Sequence, residues 1–238
     1  MALSLRPSAG PAKPDSEAAA SVRPRIDLDQ LSYHLLRPRE IGLADVPLIG
    51  EAYRVWSDVW YETFSNQIGL TNLLSDQFTR QDEVGAVFHG YECVGLSCFR
   101  FVDLSLPMSF RDSYFEHWPE SARHAALRGG TRVCIGNQIT IAKEWRGAQG
   151  GSLAAVVTAM CIERFLRSDF DAILGTMRDD RGMDTLTRAL GAEVLGHTDM
   201  HGGPVTLVAV YRGTQRQPLD PRNEAIIQKL AGQIVGAL

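Results

Sequence analysis

The stretch best equipped for chemistry is Arg146-Gly147-Ala148-Gln149-Gly150-Gly151-Ser152. Glycine lets a main chain come close to a ligand, and the first N–H groups of a following helix point outward at the positive end of its dipole. Such a turn receives phosphate or pyrophosphate. Arg54 and Arg100 each sit in a largely apolar element, where a guanidinium needs a carboxylate partner, either structural or from a substrate. The four cysteines, Cys93, Cys98, Cys134 and Cys161, are scattered in apolar segments without a CxxC pair or a zinc-type Cys/His spacing. They read as buried thiols of a reducing compartment, and no metal is expected. Cys134 has no histidine near it in a nucleophile pattern, and His197 and His201, in HTDMHGG, suit a turn or sheet edge.

The turn must be held by its flanks. Val133 to Ile141 is rich in β-branched residues and reads as a strand, while Leu153 to Leu166 lacks Gly and Pro and reads as a buried helix. Residues 1 to about 28, rich in Ala, Pro and Ser, read as a flexible tail. Ser32 to Ile41 is a strand, and Leu43 to Phe64 a helix entered at Asp45 and Pro47, with Asn66 to Ser75 a loop or short helix. Gln81 to His89 and Tyr91 to Leu104 form a hairpin about Gly90. Residues 107–130 are an insertion carrying Met108, Phe110, Tyr114, Phe115 and Trp118, and then a helical segment. Asp171 to Met177 is a short strand, Asp179 to Leu190 an amphipathic helix closed by Gly191, and Glu193 to Met200 and Pro204 to Arg212 two last strands. After a linker, Asp220-Pro221 opens a final helix with Ile227, Leu230, Ala231, Ile234 and Leu238 on one face. That face docks on the body or on a sister subunit, the second case giving a homodimer. The order predicts a mixed α/β (α+β) domain over residues 29–213, with a mixed sheet and helices on both faces, and residues 214–238 appended.

At 238 residues and 45% hydrophobic content the chain can bury a sizeable core. A net charge of −4 and no basic stripe argue against nucleic acid as a partner. No apolar run approaches the roughly 20 residues of a membrane span, and residues 1–21 lack the apolar region of a signal peptide, so the cytoplasm is the default location.

The element order, with a glycine-rich turn after a central strand, resembles the GNAT acyltransferase superfamily over roughly Leu31 to Arg212. The family's turn is Arg/Gln-x-x-Gly-x-Gly/Ala. Here Arg146 and Gly151 match, with Gln149 where the first glycine falls and Gly150 displaced by one. The resemblance implies that residues 146–152 hold the pyrophosphate of coenzyme A or the phosphopantetheine of an acyl carrier protein. It implies that Ile139, Thr140 and Ile141 pair with the pantetheine arm. Acyl-CoA or acyl-phosphopantetheine would be a co-substrate rather than a permanently bound cofactor. Thr187 stands where the family often has a tyrosine acid.

The front half is similar to the acyl-homoserine lactone synthases and N-acyl amino acid synthases. Arg54-Val55-Trp56, Ser75-Asp76-Gln77-Phe78, Gly95 with Arg100, and the aromatic insertion carry that similarity. It makes Arg54, Trp56, Phe78 and Arg100 candidate substrate residues, and implies that the insertion helps line an acyl-chain pocket. Where the lactone synthases have Glu-x-Ser-Arg, this chain has Ile135-Gly136-Asn137-Gln138. That difference leaves long-chain acyl transfer to an amino-acid-like amine more open than lactone synthesis. Such transfer needs a route for the amine's proton, for which Asp76, Asp82 and Glu83 are candidates alongside a solvated or capping role. It also needs an oxyanion donor, such as a backbone N–H near Ile141. A non-catalytic thioester-binding domain of the same fold is the alternative.

Overall fold

The computed structural model describes residues 23–200 and 202–234. Seven strands form one sheet in the order β1-β2-β3-β4-β5-β7-β6. They are β1 (Leu31–Leu36), β2 (Glu83–His89), β3 (Glu92–Asp103), β4 (Arg132–Ile141), β5 (Ala172–Arg178), β6 (Glu193–Met200) and β7 (Gly203–Tyr211). The helices are α1 (Val46–Ile68), α2 (Asp76–Thr79), α3 (Glu120–Ala126), α4 (Leu153–Leu166), α5 (Met183–Ala189) and α6 (Pro221–Ala231).

The β4–β5 pair is parallel, in a sheet otherwise antiparallel. It is also short. β4 follows β3 as far as Ile141, but it pairs with β5 only over Val133–Ile135 against Ala172–Leu174. β5 continues along β7 to Arg178. Beyond Ile135 and Leu174 the two strands therefore part, and the edge groups of each face a gap.

Alternation along the strands assigns the two faces. Val133 and Ile135 join Phe115 and Trp118 of the insertion in one apolar cluster. A Cβ on Gly136 would sit 2.9 Å from Cys161 Sγ of α4, so the other face of β4 belongs to that helix. Trp60 of α1 donates to Thr140 Oγ1, whose partner across the ladder is Leu96. Leu96 shares its parity on β3 with Arg100, which is bound to Asp112 of the insertion. α1 and the insertion thus cover one face, and α4 and α5 the other.

Two expectations need correction. The helix predicted over Asp179 to Leu190 is broken at Gly182, whose φ of 66° is left-handed, leaving a 3-10 turn at Asp179–Arg181 before α5. Within residues 23–28, assigned to a flexible tail, the stretch 24–26 is anchored: Ile26 is 8% exposed and Pro24 and Ile26 bond to Gln149. Residues 1–22 and the stripe's Leu238 lie outside the described residues. The rest of that stripe, Ile227, Leu230, Ala231 and Ile234, is buried within this chain, with α6 lying against α4 and β1, so it docks on the protein's own body.

Candidate functional site

Where β4 and β5 part, a cavity of about 530 Å³ opens. Its sides are Gly136–Ile139 and Ile141 of β4 and Thr176–Arg178 of β5. Val59, Trp60 and Thr63 of α1 close one end, and Gly151–Ala154, at the start of α4, form the other. Since α1 and α4 lie on opposite faces, the cavity runs through the sheet rather than over it.

The β4 wall is shaped by a bulge. Cys98 faces Asn137 and Leu96 faces Thr140, so Gln138 and Ile139 together oppose Ser97. Gln138 has φ 51°, the one positive φ outside glycine among the described residues. Two contacts hold it there: Trp56 Nε1 donates to its Oε1 at 2.8 Å, and Thr140 Oγ1 donates to its carbonyl at 2.7 Å. A side chain in this region costs of order 1–3 kcal/mol unless its surroundings over-determine it, as they do here.

The glycine turn forms the far end. Gly147 and Gly150 have φ of 73° and 99°, a region that favours glycine. Ser152 caps α4, its Oγ accepting from Ala155 N. No acceptor among the described residues takes the N–H of Leu153 or Ala154, and both residues line the cavity. These amides and the helix dipole make an anion site. Ala148 N donates to Trp145 O at 3.2 Å, and two amides of the turn are engaged from outside it. Gln149 donates to Pro24 O and accepts from Ile26 N, each at 2.9 Å, and Ser152 N donates to Asn223 Oδ1 of α6 at 2.7 Å.

The surrounding charge is positive. Arg146, Arg178 and Arg181 line the cavity, and Arg23 reaches Gly147. Asp180 chelates Arg178 at 2.6 and 2.8 Å, whereas Arg23, Arg146 and Arg181 have no ion pair among the described residues. Among the described residues, no Asp, Glu or His lines the cavity.

Of the residues singled out in the sequence, Ile139, Ile141, Arg146, Gly147, Gly151 and Ser152 line this cavity. Thr140 points to α1, and Ala148, Gln149 and Gly150 turn toward the N-terminal segment or the body. The carboxylates go elsewhere. Glu83 is buried under α4, where Arg164 Nε and Nη2 donate to it at 2.9 and 3.2 Å. Asp82 accepts from Phe101 N at 2.7 Å and pairs with Arg39, and Asp76 pairs with Arg80 one helical turn away. None of the three reaches the cavity. Arg54 is bonded along its own helix to Glu51 and Asp58 and borders a separate polar cleft of about 340 Å³. Arg100 is held by Asp112 at 2.5 and 3.2 Å. Trp56 and Phe78 are buried against each other. The insertion does not line the cavity: Phe115 and Trp118 are core, and Tyr114 stands behind the wall, its hydroxyl 3.3 Å from Thr176 Oγ1.

Burial pushes the Cys161 thiol up to about 12 and drives the Cys134 thiol well above its ordinary value, so neither supplies a thiolate. His197 binds Thr206 Oγ1 through Nδ1 at 3.0 Å, and Thr206 donates to Asp179. His201 lies outside the described residues. Asn137, Gln138, Thr176, Arg178 and Arg181 were not singled out for the site. The polar Asn137-Gln138 pair inside a β-branched strand was the available signal.

Neither a protein-family model nor a curated protein matches the sequence. Solved structures do. A mosquito arylalkylamine N-acetyltransferase like 5b aligns with TM-score 0.55 at 12% identity, over 76% of this chain and 99% of that one. The acyl-homoserine lactone synthase LasI aligns with TM-score 0.53 at 14% identity, over 76% and 89%. BjaI, a CoA-dependent acyl-homoserine lactone synthase solved with SAM and isopentyl-CoA, aligns with TM-score 0.50 at 14% identity, over 87% and 92%. The fold is that of the GNAT acyltransferases. Against the GNAT pattern, Gln149 is accommodated because its backbone is bridged to the N-terminal segment and has no positive φ. Thr187, at the position of the tyrosine acid, is buried and gives its hydroxyl to Met183 O at 2.6 Å.

Proposed function

We propose that this chain is an N-acyltransferase that moves an acyl group from a pantetheine thioester, carried by coenzyme A or an acyl carrier protein, to the amine of a small amino-acid-like acceptor. The observation that carries the reading is the cavity itself, which starts at the open amides of Leu153 and Ala154 and passes through the sheet to α1. A phosphate fits the amide end beside Arg146. The pantetheine arm lies along Ile139 to Ile141, whose main chain has no strand partner on the β5 side. The acceptor enters from α1.

In this arrangement the amine nitrogen attacks the thioester carbonyl, the C–N bond forms, the C–S bond breaks and the thiolate takes up a proton. A main-chain N–H near Ile141 meets the oxyanion. No covalent intermediate on the protein is needed. Because no carboxylate or imidazole lines the wall among the described residues, the amine loses its proton to water. Asp76, Asp82 and Glu83 take no part in that transfer.

The same lack of an acid or base favours a second reading, a domain of this fold that binds acyl thioesters without turning them over. One experiment separates the two. The purified chain is incubated with acyl-CoA and acyl-carrier panels and mixed amines, and free thiol is followed. Amine-dependent thiol release supports the enzyme, while tight thioester binding without release on any acceptor supports the binding domain.

A further inference from the structure

We infer that Arg23, remote in sequence from the glycine turn, binds the phosphate of the pantetheine donor and is held in place by a strap of residues 24–26. The inference rests on the donor-site reading above. The strap is fixed at three points. Gln149 donates to Pro24 O and accepts from Ile26 N, and the Ile26 side chain is buried against Gly151. This anchorage sets the position of the preceding residue. Arg23 Nη1 lies 3.2 Å from where a Cβ on Gly147 would be, so it rests directly on the turn. No carboxylate or carbonyl among the described residues accepts from it.

The turn has use for those donors. A glycine turn ahead of a helix ordinarily offers a row of amides to a phosphate, but here the strap consumes the amide of Gln149 and α6 consumes that of Ser152. What remains among the described residues are the amides of Gly147, Gly150, Gly151, Leu153 and Ala154, interrupted at Gln149 and Ser152, with Arg146 on the cavity wall. A guanidinium laid over Gly147 adds a two-pronged donor at the Arg146 end of that interrupted row, and its fork matches phosphate geometry. The ligand class is a phosphate ester of pantetheine, whether free as coenzyme A or tethered to a carrier protein.

The test is calorimetric titration of CoA, phosphopantetheine and pantetheine into the full chain, as wild type, R23Q and R23K. The expected result is about a tenfold rise in Kd for phosphate-bearing ligands in R23Q, unchanged pantetheine binding, and partial rescue in R23K. Weakening of CoA alone assigns Arg23 to the phosphates only CoA carries, whereas weakening of both places it on the phosphate shared with carrier proteins. R23Q that binds every ligand as wild type does, or that weakens pantetheine equally, overturns the inference. Wild type that binds none of the three overturns the donor-site reading itself.

Discussion

The indole N–H of Trp56 lies 2.8 Å from Oε1 of Gln138, tying the middle of α1 to the bulge that forms one wall of the cavity. Trp56 is 0% exposed, so its indole has no water to turn to, while Gln138 is half-buried on the cavity wall. Trp56→Phe keeps most of the apolar volume but removes the donor of this hydrogen bond, a loss of about 1 kcal/mol. Equilibrium urea unfolding should show that loss, with an unchanged slope.

Glu83 and Arg164 are 2% and 3% exposed, and their pairing joins β2 to α4 beneath the site. Removing one partner strands a buried charge, at a cost of about 3–5 kcal/mol. Glu83→Gln should therefore lower the unfolding midpoint sharply while thiol release per folded molecule stays at the wild-type level. A drop in turnover with unchanged stability would return Glu83 to the chemistry.

If the amine loses its proton to water, the acceptor alone sets the pH dependence. The logarithm of kcat/KM should rise with roughly unit slope and level off at the acceptor's own pKa. Two acceptors whose amine pKa values differ should give profiles displaced by that difference. Coincident profiles would instead reveal a protein base.

Asp112 should make the insertion acid-sensitive. Its hydrogen bond to the Arg100 guanidinium, the largest influence on it, holds its carboxyl below the usual carboxylate value. The unfolded chain therefore takes up this proton at higher pH than the folded one. The stabilisation is complete above the unfolded pKa, about 4, and is lost as pH falls through the lower folded value. Melting temperature measured from pH 6 down to about 3 should fall less steeply for Asp112→Asn than for wild type, from a lower starting point.

The strand–turn–helix at the centre was legible because its signals are local. β-branched residues mark β4, glycines mark the turn, and an unbroken run without Gly or Pro gives α4 the limits Leu153–Leu166 expected for it. Gly90 likewise announced the hairpin of β2 and β3. What the sequence hid depends on direction or distance. Glu83 and Asp82 lie near the head of β2, but spacing could not say that one turns under α4 and the other toward Arg39. The left-handed Gln138 is set by Trp56, 82 positions away. Arg23 sits at the end of an Ala-, Pro- and Ser-rich stretch, and Asn223 is 71 positions from the amide it serves.

That last separation bears on how the protein is made. Synthesis reaches residue 223 only after β4, the turn and α4 have been made, so the amide of Ser152 has no acceptor at Asn223 until translation is nearly done. A product that stops short of Asn223 would carry every glycine of the turn and still lack the contact that steadies it, which makes breakage near that end a way to disable the centre of the molecule without touching it.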